Sequence, residues 1–310
     1  MEVFMSPFVI YTASDRKYGD FLVEHWYRSL RETTDLTSIE VRILDYGLST
    51  AQRYYLEHEG AVVVLCVRDG HPAVIRFRDM AADLAVHPAD QVLACDGGDI
   101  VFQADLSGLF HHHPDQFRAV SEDLHSGYDA FLNDEFFTKE DQKRLQAVLP
   151  GHRQINAGFL LGPGDRFADL CRQVDRTILC HEKFGPDQLV VNERLHTEGY
   201  VELDAGYNFV VATAKRPFRI VEGTFVFADT AAPIPVVHNA GNWSLLRPVR
   251  NFGYGPGRNE LKEDVLHTLK LVHQSTSFLV GTRDTWNRLR AQAWRRALRG
   301  VRRWRKVTAE

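Results

Sequence analysis

The strongest constraint on this chain is a repeated exchange, over its first hundred residues, between short apolar runs and stretches of helical spacing. Phe8 to Tyr11 is apolar at every position, and Phe21, Trp26 and Leu30 then recur at helical intervals over 21–30. A second strand fits Ile39 to Leu44, a helix fits Thr50 to His58 behind the cap signal Ser49/Thr50, and Ala61 to Val67 is a valine-rich third run. A helical stretch around Val74 to Leu84 leads into another strand, Gln91 to Cys95. Strands apolar throughout are covered on both faces, and their alternation with helices implies an α/β fold around a mainly parallel sheet.

Further along, Tyr128 to Leu132 and Ala157 to Leu161 read as strands, and Asp187 to Leu195 as a helix. Phe218 to Phe227 and Ile234 to Val237 read as strands, the latter delivering His238 at its end. From Asn259 the spacing is helical, first over Leu261 to Val272 and then from near Thr285 into the C-terminal tail. No Ser/Gly/Pro-rich linker divides the chain, so one domain is expected over 1–258 and a helical region over 259–310.

With 310 residues, 44% hydrophobic and 25% charged, the composition is that of an ordinary globular protein and excludes fibrous, disordered and membrane-spanning classes. The start MEVFMSPFVIYTASD lacks the pattern of a secretory signal, and a cytoplasmic location is expected. Cys66, Cys95, Cys171 and Cys180 show no CxxC spacing and are expected to be free thiols. No GxGxxG follows the first strand, which disfavours a dinucleotide-binding dehydrogenase. The loop ASDRKYGD has too few glycines to cradle a triphosphate, which ranks a sugar nucleotidyltransferase low.

The strand Gln91–Cys95 runs directly into Asp96, Gly97, Gly98 and Asp99, and Ile100, Val101 and Phe102 lead out. Asp-Gly-Gly-Asp is a good turn sequence, and that reading stands beside a second one. Carboxylates interrupting a core-forming run need a counter-charge, and at a strand's carboxyl end a hard divalent cation would satisfy both and bridge a diphosphate.

The stretch QVLACDGGDIVFQADLSGLF resembles the hallmark of glycosyltransferase family 8, a strand ending in Asp-x-Asp before an apolar run, with one extra glycine. Residues three apart on a strand lie on opposite faces, so a bulge at Gly97 and Gly98 is expected to bring Asp96 and Asp99 together. TASDRKYGDFLVEHWYRSL resembles the family's first strand and base-holding loop, which implies donor contacts for Thr12, Asp15 and Tyr18. QINAGFLLGPGDRF resembles its Asn-Ala/Ser-Gly strand and places Asn156 and Gly158 beside the sugar; GPDQLVVN resembles its Asp-Gln motif and makes Asp187 and Gln188 the catalytic pair. PVVHNAGNWSLLRP resembles the closing motif, in which His238 would ligate the metal and Gly241 would let the backbone approach the phosphate. Where the family places a lysine this chain has Ser244, and Arg247 is the substitute expected to reach the phosphates. Arg78 and Asp134 are further expected contacts of the donor and its sugar hydroxyls.

The resemblance implies a GT-A fold and metal-assisted transfer of a hexose from a UDP-sugar with retention. The metal would be Mn2+, or Mg2+, on Asp96, Asp99 and His238. A carbohydrate, lipid-linked or small-molecule acceptor is implied, with no nucleic-acid partner. The rival from another class is a nucleotide-sugar or glycan-binding protein without turnover. Residues 287–310 hold eight arginines and one lysine against one glutamate. Over 286–310 apolar residues recur at helical spacing, so this basic amphipathic tail is expected either to lie on an anionic membrane surface or to pack on the domain.

Overall fold

A computed structural model describes residues 7–122, 131–241 and 247–281. In chain order these form β1 (Phe8–Ser14), a helical run α1 (19–33), β2 (Ile39–Asp45), α2 (Thr50–His58), β3 (Val62–Leu65), α3 (Pro72–Val86), β4 (Gln91–Cys95), β5 (Ile100–Phe102), β6 (Arg118–Ser121) and α4 (Lys139–Val148). There follow β7 (Ile155–Pro163), α5 (Gly164–Thr177), α6 (Pro186–Glu198), β8 (Val201–Glu202), β9 (Phe209–Val210), β10 (Phe218–Val221), β11 (Thr224–Phe227), β12 (Val236–His238), β13 (Val249–Arg250), β14 (Glu260–Leu261) and α7 (Glu263–Gly281). Of the region read as a strand at Tyr128–Leu132, residues 128–130 lie outside the described residues and Phe131 and Leu132 are not in a strand; Ser244 and the basic tail also lie outside the described residues.

The main sheet has the order β3-β2-β1-β4-β7-β6-β8. β1 pairs in parallel with β2 and β4, while β7 runs antiparallel between β4 and β6. Side chains of β1 alternate between two cores. Val9 and Tyr11 join Phe77 and Leu84 of α3 and Phe167 of α5, and Ile10 joins Trp26 and Leu30 of α1 on the other face. Each fully buried Leu or Phe contributes about 1.5–3 kcal/mol, which is why β1 cannot spare a polar position between 9 and 11. α2 starts where its cap signal indicated: Ser49 Oγ accepts from the Gln52 amide, and the Gln52 side chain accepts in return from the Ser49 amide.

A second sheet, β5-β12-β9, has β5 antiparallel and β9 parallel to β12. Beneath it lies a third core of Val101, Phe209, Phe225, Ile234 and Val237. Phe218–Phe227 is a hairpin and not one strand, because the chain reverses at Glu222 and Gly223, with φ of 49° and 84°. Such two-residue turns match the twist of the strands they join. The valine-rich run yields only Val62–Leu65 as strand, at the edge of the main sheet. β6 was hidden in the sequence by Arg118, whose guanidinium is buried and satisfied by the carbonyls of Leu109, His112 and Gln116. β13 and β14 pair across residue 258 and so tie the start of the helical region to the strands before it. All four cysteines are free thiols, and no helix among the described residues is long and apolar enough to cross a membrane.

Candidate active site

The carboxyl ends of β1, β4 and β12 open on a cavity of about 920 Å³. Because β7 runs antiparallel to β4, its first residues, Asn156 to Gly158, lie at the same end, and the Asp96 amide donates to the Gly158 carbonyl at 2.9 Å. β5 is likewise antiparallel to β12, with Ile100 opposite His238, and the Asn239 amide donates to the Asp99 carbonyl at 2.9 Å. These two registers bring the three expected metal ligands together. One ligand atom each from Asp96, Asp99 and His238 lies within 4.8 Å of the others.

The expected bulge is replaced by a strand break. β4 ends at Cys95, the chain bends over 96–99, and β5 starts in the second sheet. Both glycines are required by close approach. A β-carbon on Gly97 would stand 2.6 Å from Thr12 Oγ1 and 2.9 Å from the Ala13 carbonyl, and one on Gly98 would stand 2.9 Å from the Tyr18 ring. Gly158 is crowded from three sides, since its β-carbon would lie 2.7 Å from each of Asn156 Oδ1, Asp96 Oδ2 and His238 Cε1.

His238 is 2% exposed, and its Nδ1 lies 2.9 Å from Asn208 Oδ1. An amide oxygen can only accept, so Nδ1 carries the proton when the ring is neutral and Nε2 keeps its lone pair for the cavity. Nε2 is 3.3 Å from Asp99 Oδ1 and 3.7 Å from Asp96 Oδ2. Burial alone would lower the imidazole's pKa, but the facing carboxylates of Asp99 and Asp96 outweigh it and raise it. For Asp96, burial pushes upward, while Arg76 and His238 more than offset it and hold the carboxyl below its ordinary value.

The other expected residues divide. Asp15, Tyr18, Asn156, Gly158, Asp187, Gln188, Gly241 and Arg247 line the cavity. One oxygen of Asp15 accepts from the Lys17 and Tyr18 amides, and the other pairs with Arg68 at 2.7 Å. Arg247 pairs with Asp99 Oδ2 at 2.9 Å. Thr12 sits buried behind the Gly97 bend and is not part of the lining. Arg78 and Asp134 stand elsewhere: Arg78 pairs with Asp69 and Asp79, and Asp134 is exposed, paired with Lys139 and Gln142. Residues two apart on a helix differ by about 200° in direction, so α3 can aim only one of its neighbouring arginines inward. That one is Arg76, which donates to Asp96 Oδ1 and to the Ala157 carbonyl. Its signal in the sequence was a lone charge between the buried Ile75 and Phe77. Asn208, on a 3-10 turn, gave none.

Asp187 opens α6 and is 4% exposed, with Oδ1 lacking any hydrogen-bond partner. Burial, with Asp96 nearby, pushes its carboxyl up to about 6 despite Arg76. A folded-state value above the unfolded one means the folded chain holds the extra proton. The associated stability is therefore complete at low pH and is lost as pH rises through about 6. The charged form then costs about 3 kcal/mol at pH 8. Asp187→Asn, which resembles the protonated acid, is expected to raise the urea midpoint at pH 8 in the presence of a chelator, with the gain shrinking toward pH 5. A gain independent of pH would remove this account.

No family model and no curated protein matches the sequence. Solved structures do resemble the chain. An active-site mutant of LgtC is 17% identical, with 84% of this chain and 94% of that chain covered and a TM-score of 0.49. The apo-form glycosyltransferase GlyE of Streptococcus pneumoniae TIGR4 is 15% identical over 91% of this chain and 64% of its own, with a TM-score of 0.49. The apo WbbM bifunctional glycosyltransferase is 14% identical over 90% of this chain, at a TM-score of 0.51, and the chain spans 53% of its length. At such identities the likeness is one of fold alone: the mostly parallel sheet between helices gives this chain the GT-A fold, an architecture it shares with the WbbM structure.

Proposed function

We propose that the chain is a glycosyltransferase that moves a hexose from a nucleotide diphosphate sugar, most simply a UDP-hexose, to an acceptor with retention of configuration. The observation that carries this reading is the convergence of Asp96, Asp99 and His238 on one face of a cavity that Asp187 and Gln188 also line. Two carboxylates and an imidazole nitrogen suit a borderline-hard divalent ion such as Mn2+ better than an all-oxygen calcium cage, and the Asn208 contact supplies the orienting hydrogen bond such a histidine needs. When bound, the ion would neutralise the charge that develops on a departing diphosphate.

The protein's own groups supply the rest. Gly97 and Gly98 keep the bend flush with Thr12, Ala13 and Tyr18, so a nucleotide can lie along the end of β1 with the Tyr18 ring beside its base. Arg247 is already in the cavity and needs only to turn from Asp99 to meet phosphate oxygens, the task expected of the family's lysine. Gln188 is half-buried at the start of α6, its Oε1 3.5 Å from the Ala157 amide, on the wall that a reacting sugar carbon would face.

A thermal-shift panel of nucleoside diphosphates and their sugars, with and without Mn2+, tests the reading. UDP at a hundred times its dissociation constant stabilises by about 2.7 kcal/mol, so with Mn2+ a midpoint rise of roughly 5 °C is expected, and much less without it. If no nucleoside diphosphate moves the midpoint under either condition, the donor assignment is wrong. Release of free UDP from a UDP-hexose then separates turnover from binding alone.

A further inference from the structure

Resting on that donor reading, we propose that Phe184 and His71 form an aromatic wall that receives the apolar face of an acceptor sugar ring. Ten large hydrophobic side chains are exposed among the described residues, and of these Phe184, at 44%, is the one that lines the cavity. Exposed singly on a surface, a phenylalanine needs no explanation; held in the lining of a cavity that also carries charged and amide side chains, three residues before Asp187, it does.

The wall is built rather than incidental. His71 meets the Phe184 ring edge-on, with centroids 5.4 Å apart. Its Nδ1 accepts from the Ala73 amide at the start of α3, which fixes the imidazole in place. Burial, with Arg68 and Arg76 nearby, lowers its pKa and keeps the ring neutral. On the other side, Gly185 has φ of 114°, and a β-carbon there would stand 2.3 Å from the Phe131 ring. The chain can therefore lie flat on Phe131 only as glycine, and this leaves the Phe184 side chain turned toward the opening.

The neighbours choose the ligand class. Gln154, Asn156 and Gln188 line the same cavity. A pyranose has one face of C–H groups for an aromatic ring and an edge of hydroxyls for such amides, so it matches both. An acyl chain or an apolar peptide side chain would leave the Gln154 amide and the Gln188 Nε2 donor without partners, at a cost of about 1–3 kcal/mol for each one desolvated.

The test is saturation-transfer NMR on the full chain with methyl glucoside, methyl galactoside, methyl mannoside and octyl glucoside, each with and without UDP and Mg2+. The variants are Phe184→Ala, Phe184→Trp and His71→Asn, the last chosen because asparagine can keep the helix cap while losing the ring. At least one methyl hexoside is expected to bind the wild-type chain through its C–H face, with a dissociation constant about tenfold higher in Phe184→Ala and recovered in Phe184→Trp. The proposal is overturned if no methyl hexoside binds the wild type, if Phe184→Ala binds as well as wild type, or if only the octyl chain receives saturation. The midpoint shift with UDP, measured in parallel, keeps the two readings apart. A normal UDP shift with hexosides indifferent to Phe184 removes the wall alone, and hexosides bound through Phe184 with no UDP shift remove the donor reading alone.

Discussion

Gly158→Ala is expected to lower turnover by about a hundredfold or more and to abolish the Mn2+ dependence of the UDP midpoint shift, while the chain stays folded. The added carbon would stand 2.7 Å from Asn156 Oδ1, Asp96 Oδ2 and His238 Cε1 at once. None of the three is free to yield. Asp96 is held by Arg76, His238 by Asn208, and Asn156 by the buried Glu122 at 2.6 Å and by the Gly158 amide at 2.8 Å. Relief must come by spreading Asp96 away from His238, and displacements near 1 Å in a reacting site can cost about a hundredfold in rate. Overpacking by one methyl group should cost only about 1–3 kcal/mol of stability. Turnover of a UDP-hexose, urea unfolding and the midpoint shift with Mn2+ measure the three effects separately. Wild-type metal response in Gly158→Ala would mean that Asp96 and His238 do not serve one ion.

That glycine shows how far the sequence could be read. Its strand was legible, because β7 is buried along its whole length and so reads as an apolar run, and its motif placed it in the site. Its neighbours were not, since only the antiparallel register with β4 puts Gly158 against Asp96, and register between strands some sixty residues apart leaves no local trace. The same limit governs Asp96 and Asp99. Read along one strand they point apart, and only the passage of the chain from the first sheet to the second reunites them. Local rules failed for Arg78 by helix phase: the apolar spacing of α3 was visible, yet choosing between Arg76 and Arg78 needed its rotation to within one residue. Asp134 was drawn from a motif whose own segment is partly outside the described residues, and where the structure resumes it faces solvent. Asn208 and Arg68 act through side chains with no spacing to any motif, and only contact reveals them.

Arg76→Met is expected to be the most destabilising single change around the cavity, at about 3–5 kcal/mol near pH 8 without metal. Arg76 is 6% exposed and has two acidic neighbours, Asp96, to which it donates directly, and Asp187, which it holds down by charge alone. Methionine fills similar space but leaves the half-buried Asp96 and the buried Asp187 without their cation, and removing the buried partner of such acids costs more than the pairing ever contributed. The sign with pH follows. Asp187 gains its proton near 6 even with Arg76 present, so without the arginine both acids should titrate higher, and the penalty should shrink as pH falls from 8 to 5. Arg76→Lys should recover little, because an ammonium on a flexible stem does not reproduce a planar fork reaching Asp96 and the Ala157 carbonyl together. Adding Asp187→Asn to Arg76→Met should recover part of the loss, and urea unfolding of the four chains at pH 8 gives the coupling directly. Additive effects, or a penalty unchanged between pH 8 and 5, would show that Arg76 supports the fold by packing and not by holding two acids charged beside the cavity.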